Sequence, residues 1–218
     1  MDRSNDEIGL FEAIYSQRAI RSLKPDPVPH ELIERIVEAA TKAPSGGNSQ
    51  PWAFIVVDEP ALRAKLGGWA REGFEPMYQM LLSRQQPGDS PPMPRYKAML
   101  EDFERVPVWI IVGMVVPPHA PNAAAVQSSV FPAVQNLLLA ARGLGLGATL
   151  TGVPMLVGAD RMRELLGLPE NVEPVAAIPL GYPDKEHYGP TTRRPVSEVL
   201  HWNAWDAQKA NSAQLSHR

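Results

Sequence analysis

The clearest periodicity in the chain runs over residues 30–41. Leu32, Ile33, Ile36, Val37, Ala39 and Ala40 fall on one helical face there, with Glu31, Glu34, Arg35 and Glu38 opposite. The same reasoning predicts helices over 9–15, 61–69, 76–82, 96–105, 123–142 and 159–166. Strands are expected over 53–57, 108–115 and 175–180, where β-branched and aromatic residues cluster. The run from Trp109 to Val116 is apolar on both faces, which suits a central strand covered from two sides. The stretch 123–142 is Ala-rich and apolar almost all round, so it predicts a buried helix, in the core or against a partner.

Length and composition narrow the class. With 218 residues the chain can build one sizeable core, and one domain over 1–218 is expected. A formal net charge of −3 gives no case for nucleic acid or an anionic membrane surface. No run reaches the ~18 consecutive apolar residues of a membrane span. The first seven residues lack the basic and apolar regions of a signal peptide, so a cytoplasmic address is expected. With no cysteine, disulfides and thiol chemistry are excluded. The Pro-rich stretch at about 83–95 cannot form a regular element and reads as an exposed insertion or lid, and 206–218 as a polar, frayed tail.

One loop carries the most chemistry. Ala43-Pro44-Ser45-Gly46-Gly47-Asn48-Ser49-Gln50-Pro51-Trp52 joins a helical run to a strand. Pro44 and the two glycines stop the helix and let the backbone approach something flat. Ser45, Asn48 and Gln50 present short hydroxyl and amide groups that can read a heteroaromatic edge. Such a loop suits a flavin ring better than a peptide or a sugar, although an ordinary turn uses the same residue types.

Three further segments keep it company. Arg18-Ala19-Ile20-Arg21 lies near the N-terminus, Gly143-Leu144-Gly145-Leu146-Gly147 closes the long apolar helix, and Thr192-Arg193-Arg194-Pro195 lies near the C-terminus. In this order the four segments resemble the nitroreductase family of FMN-dependent oxidoreductases. The resemblance implies an α+β fold, with a central mixed β-sheet flanked by helices. It also implies a homodimer with an exchanged C-terminal arm, here Val199 to Trp205, and one FMN per subunit at the interface.

The resemblance places residues as well. Arg18 and Arg21 match two basic positions that reach the cofactor phosphate, with Ala19 between them where the family often has Ser. Gln17 stands where a further Arg is common. Pro44, Ser45, Gly46 and Asn48 match ring and ribityl contacts, and Gln50 either joins them or braces the loop. Leu150, Thr151 and Gly152 match the segment passing the flavin N5 edge, with a backbone N–H near Thr151 or Gly152 as donor. Arg193, with Arg194 beside it, matches a C-terminal phosphate contact. The implied activity is electron transfer from NADH or NADPH through the flavin to a small acceptor, a nitroaromatic or quinone, in ping-pong order. A flavin-storage protein, a reductive dehalogenase and a flavin-fragmenting enzyme remain open on the same residues. Trp69, Phe74, Met77, Tyr78, Met80, Met93, Tyr96 and Phe103 suit either a lid for flat acceptors or plain core.

No side chain looks like a dedicated acid or nucleophile. The five histidines show no metal spacing, Gly-x-Ser-x-Gly is absent, and the glycine run sits at a helix end rather than on a dinucleotide-binding turn. The expected chemistry therefore rests with the flavin, with no metal.

Overall fold

The computed structural model describes residues 8–84, 102–118, 122–185 and 191–206. The chain forms two compact units, Met1–His187 and Tyr188–Arg218. In the first, α1 (Leu10–Ser16) and α2 (His30–Thr41) precede β1 (Trp52–Val57) and the long α3 (Pro60–Ser83). A 3-10 turn at Phe103–Arg105 then leads into β2 (Val108–Val115), α4 (Ala123–Gly143) and the short β3 (Gly147–Ala148). Two helices, α5 (Val153–Val157) and α6 (Ala159–Leu166), and the strand β4 (Val172–Gly181) complete the unit.

The strands lie in the order β1-β2-β4-β3, and every pairing between them is antiparallel. A mixed sheet was expected, and the path of the chain explains the correction. After β1 the chain runs out along α3 and returns through the 103–105 turn to the early part of that helix. A Cβ on Gly67 would lie 2.5 Å from the Phe103 carbonyl oxygen. Thus β2 starts beside the end of β1, with Trp109 opposite Val57, and must run the other way. Among the described residues the one parallel contact is an isolated bridge from Ala19 to Ala148.

Helices cover both sheet faces. Val108, Ile110, Val112 and Met114 of β2 join a core with Ile33, Ile36 and Ala40 of α2 and Val130, Val134 and Leu137 of α4. Trp109 points the other way and contacts Phe103, which stacks in turn on Phe74 of α3. Phe103 is therefore core, with Phe74 half-buried against it, while Met93 and Tyr96 lie outside the described residues. By length and composition α4 could also cross a membrane. Here eight of its residues, from Val126 to Ala141, are buried within the chain's own structure.

Two expected helices, 61–69 and 76–82, are one. Glu59 caps α3, its carboxylate accepting from the Ala61 and Leu62 N–H groups at 3.0 and 2.8 Å, and those bonds hold its pKa below the usual carboxylate value. Pro76 removes a hydrogen bond to the Glu72 carbonyl, but both residues are exposed, so water can replace it. Gly67 and Gly73 are contact points rather than breaks, for a Cβ on Gly73 would lie 2.8 Å from Leu156 Cβ. Arg161 on α6 forks onto Glu72 at 3.0 and 3.2 Å and stacks on Trp69, clamping the two helices together.

The second unit holds a short helix, α7 (Val196–Val199), followed by a stack of His201 on Trp205 at 4.2 Å. Its Val196, Val199, Trp202 and Trp205 are exposed. The expected helix over 96–105 lies mostly outside the described residues, as do most of the Pro-rich insertion and the tail beyond residue 206.

One surface pair ties α2 to the end of β1. His30 Nε2 lies 2.7 Å from Asp58 Oδ2, and the hydrogen bond and charge of Asp58 raise the histidine pKa above 6.5. A raised folded-state pKa means stabilisation that is present below pH 6.5 and lost as pH rises through the shifted value. The urea midpoint of the native chain should therefore exceed that of a His30→Ala variant at pH 5.5, and the gap should close by pH 8.5.

Candidate functional site

Beyond α1 the chain leaves the helix at Gln17 and runs extended along the outer edge of β3. Ala19 bridges Ala148, and Leu23 bridges Pro183. Ile20 N–H donates to the Ala148 carbonyl at 3.1 Å, Lys24 N–H to Tyr182 at 2.8 Å, and Asp184 N–H to Ser22 at 3.3 Å. Buried Thr149 donates its hydroxyl to the Ile20 carbonyl. At the near end, Arg142 Nε of α4 donates to Ser16 Oγ at 2.8 Å, and the Ser16 hydroxyl donates to the Glu12 carbonyl at 2.6 Å. Ser22 Oγ lies 2.9 Å from Asp102 Oδ2 and 2.8 Å from Asp184 Oδ2, so its single proton serves one carboxylate at a time.

This close approach needs a bare backbone position at Gly147. A Cβ there would lie 2.7 Å from Ile20 Cγ2 and 3.0 Å from Leu23 Cδ2. Held this way, the segment presents two cations. Arg18 is half-buried and Arg21 exposed, and neither has a carboxylate partner among the described residues.

The edge continues past Ala148. Thr151 exchanges backbone hydrogen bonds with Ala177 at 2.9 and 3.0 Å, and its hydroxyl donates to the same carbonyl at 2.8 Å. The Thr151 N–H is thus committed. Antiparallel alternation turns the Leu150 and Gly152 N–H groups to the free edge, where neither has a partner among the described residues. Leu150 is 45% exposed there, and Gly152 opens α5.

The loop at 44–50 is bent tightly on itself. Gly46–Asn48 forms a 3-10 turn, and Gly47, Asn48 and Gln50 have φ of 58°, 54° and 48°. Asparagine tolerates this left-handed region; glutamine does so at a cost of about 1–2 kcal/mol. Gln50 N–H donates to Ser45 Oγ at 3.0 Å, and its side-chain amide donates to Asn48 Oδ1 at 3.2 Å. Gln50 therefore braces the loop. Gly46 N–H donates to Ser129 Oγ on α4 at 3.2 Å. Pro44 and Asn48 are exposed, and Ser45 is half-buried.

Sheet order sorts these residues into two groups. Arg18, Ala19 and Arg21 share one edge with Leu150, Thr151 and Gly152. Pro44, Ser45, Gly46, Asn48 and Gln50 lead into β1 on the opposite edge, four strand spacings or roughly 19 Å across. They also enter at the end where Trp52 faces Met114, whereas Ala148 faces Leu180 at the other end. One chain does not bring the two groups together. Arg193 and Arg194 belong to the second unit, where both are exposed and Arg193 Nη1 donates to the Thr192 carbonyl at 2.8 Å. Among the described residues no group of three or more His, Cys, Asp or Glu could hold a metal ion.

The sequence profile of the Nitroreductase family matches residues 14–182, a span that takes in both groups. The chain belongs to the nitroreductase family. Among its relatives, the NADH dehydrogenase of Thermus thermophilus is 32% identical over 199 residues, covering 87% of this chain and 94% of that protein. Iodotyrosine deiodinase 1 of Rattus norvegicus is 31% identical over 196 residues, covering 88% of this chain and 68% of the relative. The fold is shared with the NADPH:FMN oxidoreductase of Vibrio harveyi solved with NAD+, at a TM-score of 0.69 and 22% identity, covering 95% of this chain and 84% of that one.

Two residues of this site had no local sequence signal. Ser129 is a lone buried hydroxyl in an apolar helix, and Arg142 reads as a solvated helix-end cation until its contact with Ser16 is seen. Two outcomes follow from the geometry. Gly147→Ala should cost about 1–3 kcal/mol and speed amide exchange at Ile20 and Lys24, read by NMR. Gln50→Gly should raise stability by about 1 kcal/mol in urea unfolding, because it relieves the left-handed strain.

Proposed function

We propose that the protein is an FMN-dependent oxidoreductase, taking electrons from NADH or NADPH and passing them to a small electron-poor acceptor such as a nitroaromatic or quinone. The observation that carries this reading is a pair of guanidiniums, Arg18 and Arg21, on a segment pinned to the sheet edge, neither with a carboxylate partner among the described residues. Fixed cations without carboxylates suit a dianionic phosphate, which arginine binds through charge-assisted, often bidentate hydrogen bonds. Four residues of extended edge, about 13 Å, separate Ala148 from Gly152 and leave room for a ribityl chain. The Leu150 and Gly152 N–H groups, without partners among the described residues, would then hold the ring, where a fixed donor stabilises charge that develops on reduction. When bound, the flavin supplies reversible hydride and electron transfer at its N5 edge. This chain's residues would bind it and orient it.

The distance between the two edges supports a homodimer. A cofactor held along the β3 edge is out of reach of its own chain's 44–50 loop, so the loop of a second copy would cover the ring. Apolar residues left exposed on α1, Leu10, Phe11, Ile14 and Tyr15, give such a copy a surface to bury, and Phe131 on α4 adds to it. The second unit, with Trp202 and Trp205 exposed at 76% and 72%, has the composition of an arm that packs on a partner.

A second reading has its own support. The deiodinase relative favours reductive dehalogenation of a halogenated phenol on the same flavin. Anaerobic reduction with each nucleotide, followed by a nitroaromatic, a quinone or a halotyrosine, separates the two. Reoxidation without halide release supports the first reading and halide release the second. A bound flavin that no donor reduces would overturn both in favour of storage. Arg21→Ala should weaken FMN binding roughly ten- to a hundredfold, given 1.5–3 kcal/mol for a hydrogen bond to a charged group, while leaving riboflavin affinity unchanged. An equal loss for both ligands would show that Arg21 does not hold the phosphate.

A further inference from the structure

Within residues 44–50 the hydrogen bonds are almost all internal. Asn48 N–H returns to the Ser45 carbonyl, Ser49 N–H to Gly46, and Gln50 N–H to Ser45 Oγ. The one bond from this stretch to the rest of the described chain is Gly46 N–H to Ser129 Oγ at 3.2 Å. Ser129 is only 7% exposed, and its own proton has no acceptor among the described residues. Its neighbour Ser128 is exposed and donates to the Ala125 carbonyl in its own helix at 2.7 Å. A Cβ on Gly46 would sit 4.0 Å from Ser129 Oγ, so the backbone lies directly over the hydroxyl.

We propose that Ser129 is a positioning residue for the cofactor site: it fixes the height and tilt of the 44–50 loop on α4, and through the loop the surroundings of the flavin ring. The loop holds three residues in left-handed backbone, two of them not glycine. A stretch strained in this way stays in one conformation only when its surroundings over-determine it. Internal bonds fix its shape, but they cannot fix where that shape sits. The anchor at Gly46 does so, next to the ring-reading groups of Ser45 and Asn48. A serine whose lone pair is engaged and whose proton is unspent can also donate to a ligand lodged beside Gly46. This inference rests on the flavin reading above.

The experiment compares the native chain with Ser129→Ala, Ser129→Thr and Ser128→Ala. In the flavin-free proteins, amide exchange at Gly46 should be slow in the native chain and in Ser128→Ala, and fast in Ser129→Ala. That measurement needs no flavin, so it stands even if the functional reading fails. With FMN, Ser129→Ala should raise Kd about three- to tenfold, the size of one neutral hydrogen bond, and shift the midpoint potential of the bound flavin. Ser129→Thr, which keeps the hydroxyl, should restore both, and Ser128→Ala should change neither. A purely structural serine would lower the melting temperature and leave the potential where it was; that result overturns the proposal. So does unprotected Gly46 in the native chain, or FMN binding by Ser129→Ala equal to native. If the native chain takes up no flavin while Gly46 remains protected, the functional reading has failed and the assigned role with it, leaving only the anchor.

Discussion

The site depends on a contact that exists because a side chain is missing. Gly147 lets Ile20 and Leu23 settle on the sheet edge where any Cβ would strike them. Burial of those two side chains, 7% and 6% exposed, holds an otherwise loop-like segment in strand geometry. The hydrogen bonds of Ile20, Ser22 and Lys24 then cost little further entropy, because the backbone is already confined. Arg18 and Arg21 are presented at fixed positions only as a result. Under the function proposed above, their value as an anion site would lie in that fixity: a guanidinium on a mobile segment would lose much of its binding energy to ordering.

The sheet sets the second constraint. Antiparallel order puts the basic edge and the serine–asparagine loop on opposite sides of four strands, with α4 spanning the distance between them. Ser129 meets the loop, Arg142 meets the end of α1, and the 13 residues between them rise about 20 Å. A single helix therefore sets the spacing between the loop and the end of α1. Pairing through a two-fold axis would reproduce that spacing twice, giving two equivalent composite sites.

Local pattern was most readable where one face of an element does the burying. The helix over 30–41 was legible to the residue because its apolar stripe is matched by a charged one, and 108–115 because every residue but the last is buried. Reading failed where glycine and proline have more than one meaning. Gly67, Gly73 and Pro76 look like breaks in a sequence, yet two are contact points and the third sits where water can replace the lost bond. The run 143–152 looks like a turn, yet it contains β3 and the edge that faces the basic segment. Gln50 was expected as a ring contact or a brace, and its φ and its bond to Asn48 support the brace.

Motif chemistry belongs to the sequence. The arginine pair, the Pro-Ser-Gly-Gly-Asn loop, the Gly-Leu-Gly turn and the terminal Arg-Arg-Pro run carried the resemblance to the family and its cofactor, because they depend on residue type and order alone. Strand direction, the split of the motif residues between two edges, the commitment of the Thr151 N–H and the anchoring by Ser129 were decided only by tertiary structure. Each depends on which distant backbone groups meet, and a hydrogen bond across 83 residues leaves no trace in local pattern.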